Sequence, residues 1–324
     1  MHLPRRSLLA ASAAALAAPR IAHASLPQGL VRVLVGFPPG GGTDVMGRII
    51  AEALRKRGAL KNMVIENRAG ASGTVACEAL KYATPDGTTL MFAPSASTVQ
   101  PVLTFRKLPF DPRTDFAPIT MTGMVQTCYV LSPSLPMTSF LDYIAWVKQD
   151  PKRGSFGSTA LGSSTHFFGL QLGGAFGVEL EPVGYRGAAP LISDLAAGHI
   201  KAGCGGVSDF LTHHKDGKLR IVLTSSPKRG ITTPDIPTIA DLGHPDQASF
   251  GFYAFYAPAG TPAPVVAALR DELAAATMEP EVKAQLLAIG LEPEVSTPAE
   301  LAKILAEDIE RWRPVVERSG FKVD

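Results

Sequence analysis

Along residues 30–94 the apolar positions change period from one stretch to the next. "LVRVLVGF" (30–37) is a near-continuous run of branched residues, as expected of a strand buried on both faces. "DVMGRIIAEALRKRG" then places Val45, Ile49, Ile50, Ala53 and Leu54 on one helical face and stops at Gly58. "MVIEN", "GTVACEALKYA" and "TTLMFAP" continue as strand, helix and strand, and this β-α-β-α-β order predicts a parallel sheet. A second series opens at "TCYVLS" and runs through the helix "SFLDYIAWVKQ", the strand "GSFGS", the helix "STHFFGLQLGGAFG", the strand "EPVGY", the helix "AAPLISDLAAG" and the strand "LRIVLTSS". From about residue 250 one strand-like run precedes helices. Among these, Thr297-Pro298-Ala299-Glu300 is a capping box with proline in the first helical position. The pattern predicts two tandem α/β units, with the chain returning near Ser225. One lobe is expected from residues 26–122 with 226–324, the other from 123–225.

The first 24 residues belong to neither unit. Arg5 and Arg6, the apolar stretch Leu8 to Ala18 and the Ala22-His23-Ala24 site have the order of an export signal, so the mature chain is expected to begin near Ser25. The arginine pair fits twin-arginine export as well as general secretion. Removing this segment takes away three arginines and no acid. The 31 basic residues fall to 28 against 29 acidic ones, so a formal charge of +2 becomes −1. Without a dense basic stripe, nucleic acid is not an expected partner. No later stretch is apolar for long enough to span a bilayer. Cys77, Cys128 and Cys204 are odd in number and far apart, which suits buried small side chains better than a disulfide framework or a C-x-x-C metal site. Neither a metal nor a cofactor is expected, and a monomer is.

Candidate chemistry begins at "GFPPGGGTD" (36–44), a glycine-rich turn between a strand and a helix. Such a turn brings backbone N–H groups and the helix start close to an anion. Thr43-Asp44 stand where a Walker A loop has lysine, and with Gly40 and Gly42 as the first glycines of a dinucleotide fingerprint the third would be Val45. Asp44 in the first turn would repel an exposed phosphate, so a small carboxylate held by neutral donors fits better. A plain tight turn explains the glycines equally well by itself. Similar turns end other strands: "APSAS" (93–97), "GSTALGSSTHF" (157–167), "YRGAAP" (185–190) and "GGVSD" (205–209), the last with Ser208 and Asp209. In open α/β sheets ligands bind where such strand ends gather.

Taken in order, "VGFPPGGGTDVMGRIIAEAL", "VIENRAGASGTVACEALKYATPDGTTLMFAPSA", "LPFDPRTDFAPI", "LSPSLP", "GYRGAAPLISDLAAGHI", "GKLRIVLTSSPKR" and "FYAPAGTP" resemble the Bug family of extracytoplasmic solute receptors, the substrate-binding components of tripartite tricarboxylate transporters. The resemblance covers nearly all of the mature chain. It implies a two-lobed α/β periplasmic-binding-protein fold of the Venus-flytrap type, a small organic carboxylate gripped between the lobes, and membrane transporter subunits as partners. Carried over by position, it points to Phe37, Gly41, Thr43 and Asp44, to Ser95 and Ala96, to Ser158, Thr159, Ser163, Thr165 and His166, and to Tyr185. Arg186 is either a bidentate carboxylate partner or a surface residue beside the contacting Tyr185.

Departures from the family fall at Gly184-Tyr185-Arg186-Gly187, where Pro-Tyr-Lys-Gly is common, and at Gly205, where an aspartate is. Loss of that acid argues against an amino-acid ligand. Bland readings stand beside these: His166 as a cap or packing residue, Asp194 as a solvated helix residue, and His213 and His214 on different helical faces. Two other function classes share the features. A ligand sensor for a membrane signalling partner would need the same site. A secreted hydrolase would use Ser163 or Ser164 with His166, although no G-x-S-x-G elbow is present.

Overall fold

The structure, a computed structural model, describes residues 26–323; the export segment assigned to residues 1–24 lies outside them. Strand β1 (Val31–Val35) leads through the glycine turn into α1 (Gly42–Lys56), followed by β2 (Met63–Asn67), α2 (Thr74–Lys81) and β3 (Thr89–Pro94). Two short helices, α3 (Ser95–Thr98) and α4 (Gln100–Thr104), precede the long β4 (Phe116–Val125). The chain then passes into β5 (Thr127–Leu131), α5 (Phe140–Gln149), β6 (Ser155–Ser158), α6 (Ser164–Phe176), β7 (Glu181–Gly184), α7 (Ala188–Ala197), β8 (Ala202–Gly206), α8 (Val207–Lys215) and β9 (Arg220–Thr224). It returns through β10 (Gly251–Pro258) and closes with α9 (Ala263–Thr277), α10 (Pro280–Ala288) and α11 (Pro298–Ser319).

Two five-stranded sheets result, ordered β2-β1-β3-β10-β4 and β7-β6-β8-β5-β9. The β-α-β units are parallel as the sequence predicts, but neither sheet is purely so. β10 pairs antiparallel with both β3 and β4, and β5 pairs antiparallel with both β8 and β9. β4 and β8 are harder to read locally. β4 carries Pro118 and Gly123, and Pro118, which has no N–H to donate, sits beside a register irregularity opposite Tyr256. β8 reads Ala-Gly-Cys-Gly-Gly; at Gly203 even a Cβ would press on Leu191 and Leu195, so glycine lets α7 lie close to the sheet.

The buried face of α1 is centred on Met46, Ile50, Ala53 and Leu54, with Val45 and Ile49 half-buried. Burial on this side comes from the sheet and from α9 and α10 together, which turns the helix from the face expected of one neighbour. Its Gly47 lets the Phe92 ring of β3 approach; a Cβ there would lie 3.1 Å from the ring. On the other face of the first sheet, Leu34, Met91, Met121 and Tyr256 join an apolar cluster with Leu305, Ile309 and Trp312 of α11. The same cluster continues into the second unit through Tyr129, Phe140 and Phe156, and the Phe167 and Trp312 rings meet at 6.4 Å. The capping box at Thr297 forms as expected: Glu300 N–H donates to the Thr297 hydroxyl, and Thr297 N–H donates to the Glu300 carboxylate at 2.7 Å.

The chain crosses between the sheets twice, at Gln126 and just before Gly251. Ser225 ties the two crossings together: it accepts the Thr127 N–H at 3.1 Å and donates to the Ser249 carbonyl at 2.8 Å. Residues 226–250, which the sequence pattern groups with the first lobe, run beside the second sheet; Thr224 and Ile239 N–H groups donate to Pro237 and Thr224 carbonyls across the edge of β9.

Candidate functional site

The glycine turn after β1 is built on Asp44. Its carboxylate accepts the Gly40 N–H and the Arg48 Nε–H at Oδ2 (2.9 and 2.8 Å) and an Asn67 amide N–H at Oδ1 (2.9 Å). Asn67, at the end of β2, also donates to the Phe37 carbonyl at 3.0 Å, so one amide holds both sides of the turn. Burial alone would raise the Asp44 carboxyl, but the hydrogen bonds from Arg48, Gly40 and Asn67 prevail and hold it below the usual carboxylate range. Asp44 is therefore an anchor of the loop, with both oxygens already engaged. Gly40 takes the left-handed conformation (φ +80°), whereas Gly41 is extended at φ −72° and exposed. The glycine that permits close approach is Gly36: a Cβ there would lie 2.5 Å from the Gly73 Cα.

Thr43, 6% exposed, directs its hydroxyl to the phenol oxygen of Tyr253 at 3.5 Å. Tyr253 was absent from the sequence candidates. A tyrosine near the start of a strand-like run has no local mark of function, and only the return of β10 beside β3 brings it to the glycine turn. Ser95, after β3, accepts the Phe252 N–H at 3.3 Å, which draws its loop to the same strand, and Ala96 follows it half-buried. Phe37 lies against Gly73.

On the second sheet, the end of β6 and the start of α6 form a hydroxyl cluster. The Thr165 hydroxyl shares hydrogen bonds with Ser158 (3.0 Å), Thr159 (3.2 Å) and Ser163 (2.9 Å), and Ser163 also donates to the Ala160 carbonyl at 2.7 Å. The Gly187 and Tyr185 N–H groups donate to the Thr159 and Ser158 carbonyls, which sets the β7–α7 turn against this cluster. Tyr185 donates its phenol to Asp194 of α7 at 2.8 Å; burial and then that carboxylate push its ionisation up to about 12. Asp194 also meets His199 at 3.3 Å, so it positions Tyr185 rather than standing free as a solvated helix residue. Arg186 is exposed and makes no ion pair among the described residues.

His166 is packed at the start of α6. Its Nδ1 accepts the Gly162 N–H at 3.1 Å, its ring stands 5.0 Å from Phe321 and 4.8 Å from Phe167, and burial lowers its pKa to about 4, leaving it neutral. The hydrolase alternative would pair Ser163 or Ser164 with His166; the structure gives the Ser163 hydroxyl and the His166 Nδ1 other partners, and neither serine is hydrogen-bonded to the ring among the described residues. At Gly205 the Phe210 ring and the Thr159 methyl occupy the space a Cβ would need. Gly206 N–H donates to Asp209 at 3.1 Å, and Asp209, half-buried in the first turn of α8, acts electrostatically on Tyr253 of the first lobe.

Strand ends of the two sheets thus approach each other around the crossings. Gly290, after α10, presses its backbone on that of Ser208, where a Cβ would lie 2.8 Å from the Cα; Gly206 lies close to Val125; and Phe321 lies against Gly162. A separate groove of about 700 Å³ between α6, residues 246–249 and α11 is lined by none of the candidate residues. Among the described residues there is no group of three or more His, Cys, Asp or Glu able to hold a metal ion, and no helix long and apolar enough to cross a membrane. The three cysteines are buried thiols whose ionisation burial pushes upward.

Known proteins resemble this chain in sequence and fold. BugT of Bordetella pertussis is 31% identical over 315 residues, covering 96% of this chain and 95% of its own. A solved R. palustris protein with adipate is 30% identical with a TM-score of 0.84, over 91% of this chain and 99% of that one. MatC from Rhodopseudomonas palustris with bound malate is 27% identical with a TM-score of 0.79, over 90% and 100%. The two-lobed α/β fold is accordingly that of the periplasmic binding proteins, as the sequence resemblance implies. Residues 46–321 match the family described as the tripartite tricarboxylate transporter family receptor, and with both lobes and the strand-end loops in place, the chain belongs to that family.

Proposed function

We propose that this protein is a periplasmic receptor that closes on a small carboxylate between its lobes and delivers it to the membrane subunits of a tripartite transporter. The observation that supports this most is that each sheet carries neutral hydroxyl groups at its strand ends: Thr43 with Tyr253 on the first, and the Ser158, Thr159, Ser163 and Thr165 cluster on the second. A carboxylate held this way spreads its charge over several hydrogen bonds, each worth about 1.5–3 kcal/mol when charge-assisted. Two family members carry adipate and malate, ligands of this class. Thr43, Gly41, Ser95, Thr159, Tyr185 and Arg186 are proposed contacts, and the crossings at Gln126 and before Gly251 are the proposed hinge of closure.

Thermal denaturation with a panel of mono-, di- and tricarboxylates tests the binding claim, because a ligand that binds only the folded state stabilises it by RT ln(1 + [L]/Kd). A stabilising carboxylate supports the reading; a panel that leaves the midpoint unmoved overturns it. Uptake of that ligand by membranes carrying the transporter subunits, with and without receptor, tests delivery. Uptake independent of the receptor would leave a binding protein without this transport role.

A further inference from the structure

An acid is an unexpected neighbour for a site read as carboxylate-binding, yet Asp209 is such a neighbour. It lies in the first turn of α8, next to the Ser208 backbone that Gly290 of the other lobe touches. Its charge acts on the Tyr253 phenol, which in turn meets Thr43 of the glycine turn. Asp209 Oδ2 accepts the Gly206 N–H, and Oδ1 makes no hydrogen bond among the described residues. Among the described residues no ion-pair partner offsets it. Tyr253 on β10 and the Cys128 thiol on β5 are neutral groups raised by burial, and Cys204 on β8 is another. On β9 the charged residue is Arg220, at the end of the strand remote from Thr224, and on α8 itself His213, His214 and Lys215 occupy the last turn. Burial, opposed by the Gly206 N–H, pushes the Asp209 carboxyl up to about 6.

An ionised dicarboxylate brought beside an ionised Asp209 places like charges together in a poorly solvated junction. Two changes relieve the repulsion: the ligand presents a hydrogen-bond donor to Asp209, or Asp209 binds a proton. We infer that Asp209 determines specificity in this receptor. It favours carboxylates bearing an adjacent hydroxyl or ammonium, which donates to its carboxylate, over donor-free carboxylates, which bind only with uptake of one solvent proton onto Asp209. This rests on the carboxylate-receptor reading above. It also returns an acid to the junction from α8, where the sequence, lacking one at Gly205, argued against a ligand with an ammonium.

Calorimetry with succinate, malate, aspartate and adipate tests the inference, since the first three share one carbon skeleton and differ by hydrogen, hydroxyl or ammonium. For succinate and adipate, affinity should fall about tenfold per pH unit, ~100-fold between about pH 6.5 and 8.5, with one proton taken up at the upper end, read as a dependence of heat on buffer ionisation. Malate or aspartate should bind more tightly than succinate and change little over that range. In Asp209→Asn the amide remains an acceptor for Gly206 and supplies a permanent donor, so succinate and adipate should bind independently of pH and the advantage of malate or aspartate should vanish. A wild-type succinate or adipate affinity that does not change with pH overturns the role of Asp209 while leaving the receptor reading intact, as does an unchanged pH profile in the variant. Absence of binding by all four overturns the dicarboxylate reading and this inference with it.

Discussion

The hydroxyl of Thr43, in the first turn of α1, lies 3.5 Å from the phenol oxygen of Tyr253, 210 residues further along the chain. The contact joins the glycine turn to the strand that completes the first sheet after the second has been built. If these two hydroxyls and that of Thr159 serve the ligand, Thr43→Ala, Tyr253→Phe and Thr159→Ala should each weaken binding by ~10-fold to 100-fold and leave the fold intact. Arg186→Gln should cost no more than any of these, because the proposed site distributes the ligand's charge. Calorimetry with the stabilising carboxylate separates the cases: an Arg186 loss far above the others would establish a dominant salt bridge in place of the distributed site.

Glycines 36 and 41 should respond in opposite ways. Gly36→Val drives a side chain into the Gly73 backbone and is expected to destabilise the protein by about 1–3 kcal/mol. Gly41 is exposed and extended, with only the Pro38 carbonyl at 3.3 Å from an added Cβ, so Gly41→Val should reduce affinity with a smaller loss of stability. Urea midpoints beside binding isotherms check this, and an equal stability loss in both variants would refute it.

Ser225 is the hydrogen-bonded tie between the two crossings. Ser225→Ala deprives the buried Thr127 N–H and Ser249 carbonyl of a partner, which should cost about 1–3 kcal/mol. If the crossings are the hinge, small-angle scattering should also show a smaller ligand-induced compaction in the variant. Wild-type compaction together with wild-type stability would remove Ser225 from the hinge.

Asp308 of α11 gives stability a pH dependence. It is 2% exposed, Arg311 donates to Oδ1 at 2.9 Å, and Oδ2 has no hydrogen-bond partner among the described residues. Burial outweighs Arg311 and raises its pKa to about 6. The folded chain therefore binds a proton that the unfolded chain has released. The associated stability is full below about pH 4 and is lost as pH rises through about 6. Asp308→Asn should gain on wild type as pH rises, by an amount approaching about 3 kcal/mol near pH 7.5, with little gain near pH 4. Denaturant melts at those two pH values check the sign; a gain confined to the acid side would reverse the assignment.

The β-α-β units, the glycine turn, the hydroxyl-rich strand ends and the Thr297 cap were legible in the chain because each depends on neighbours a few residues away: period, turn chemistry and capping spacing are local properties. Nothing local indicates that β4 and β10 join one sheet antiparallel, or that β5 does so in the other, since pairing depends on which strand lies alongside after the chain has crossed twice. The same limit governs the site. The sequence marks Asp44 and His166 as candidate contacts but not the Arg48 and Asn67 that hold the one or the Phe321 that packs on the other, and Tyr253 carries no local signal because only β10 brings it beside Thr43. Sequence thus determined which residue types line the strand ends, and tertiary structure decided which of their polar atoms are already engaged, because an atom's partners are set by groups that fold in from distant parts of the chain.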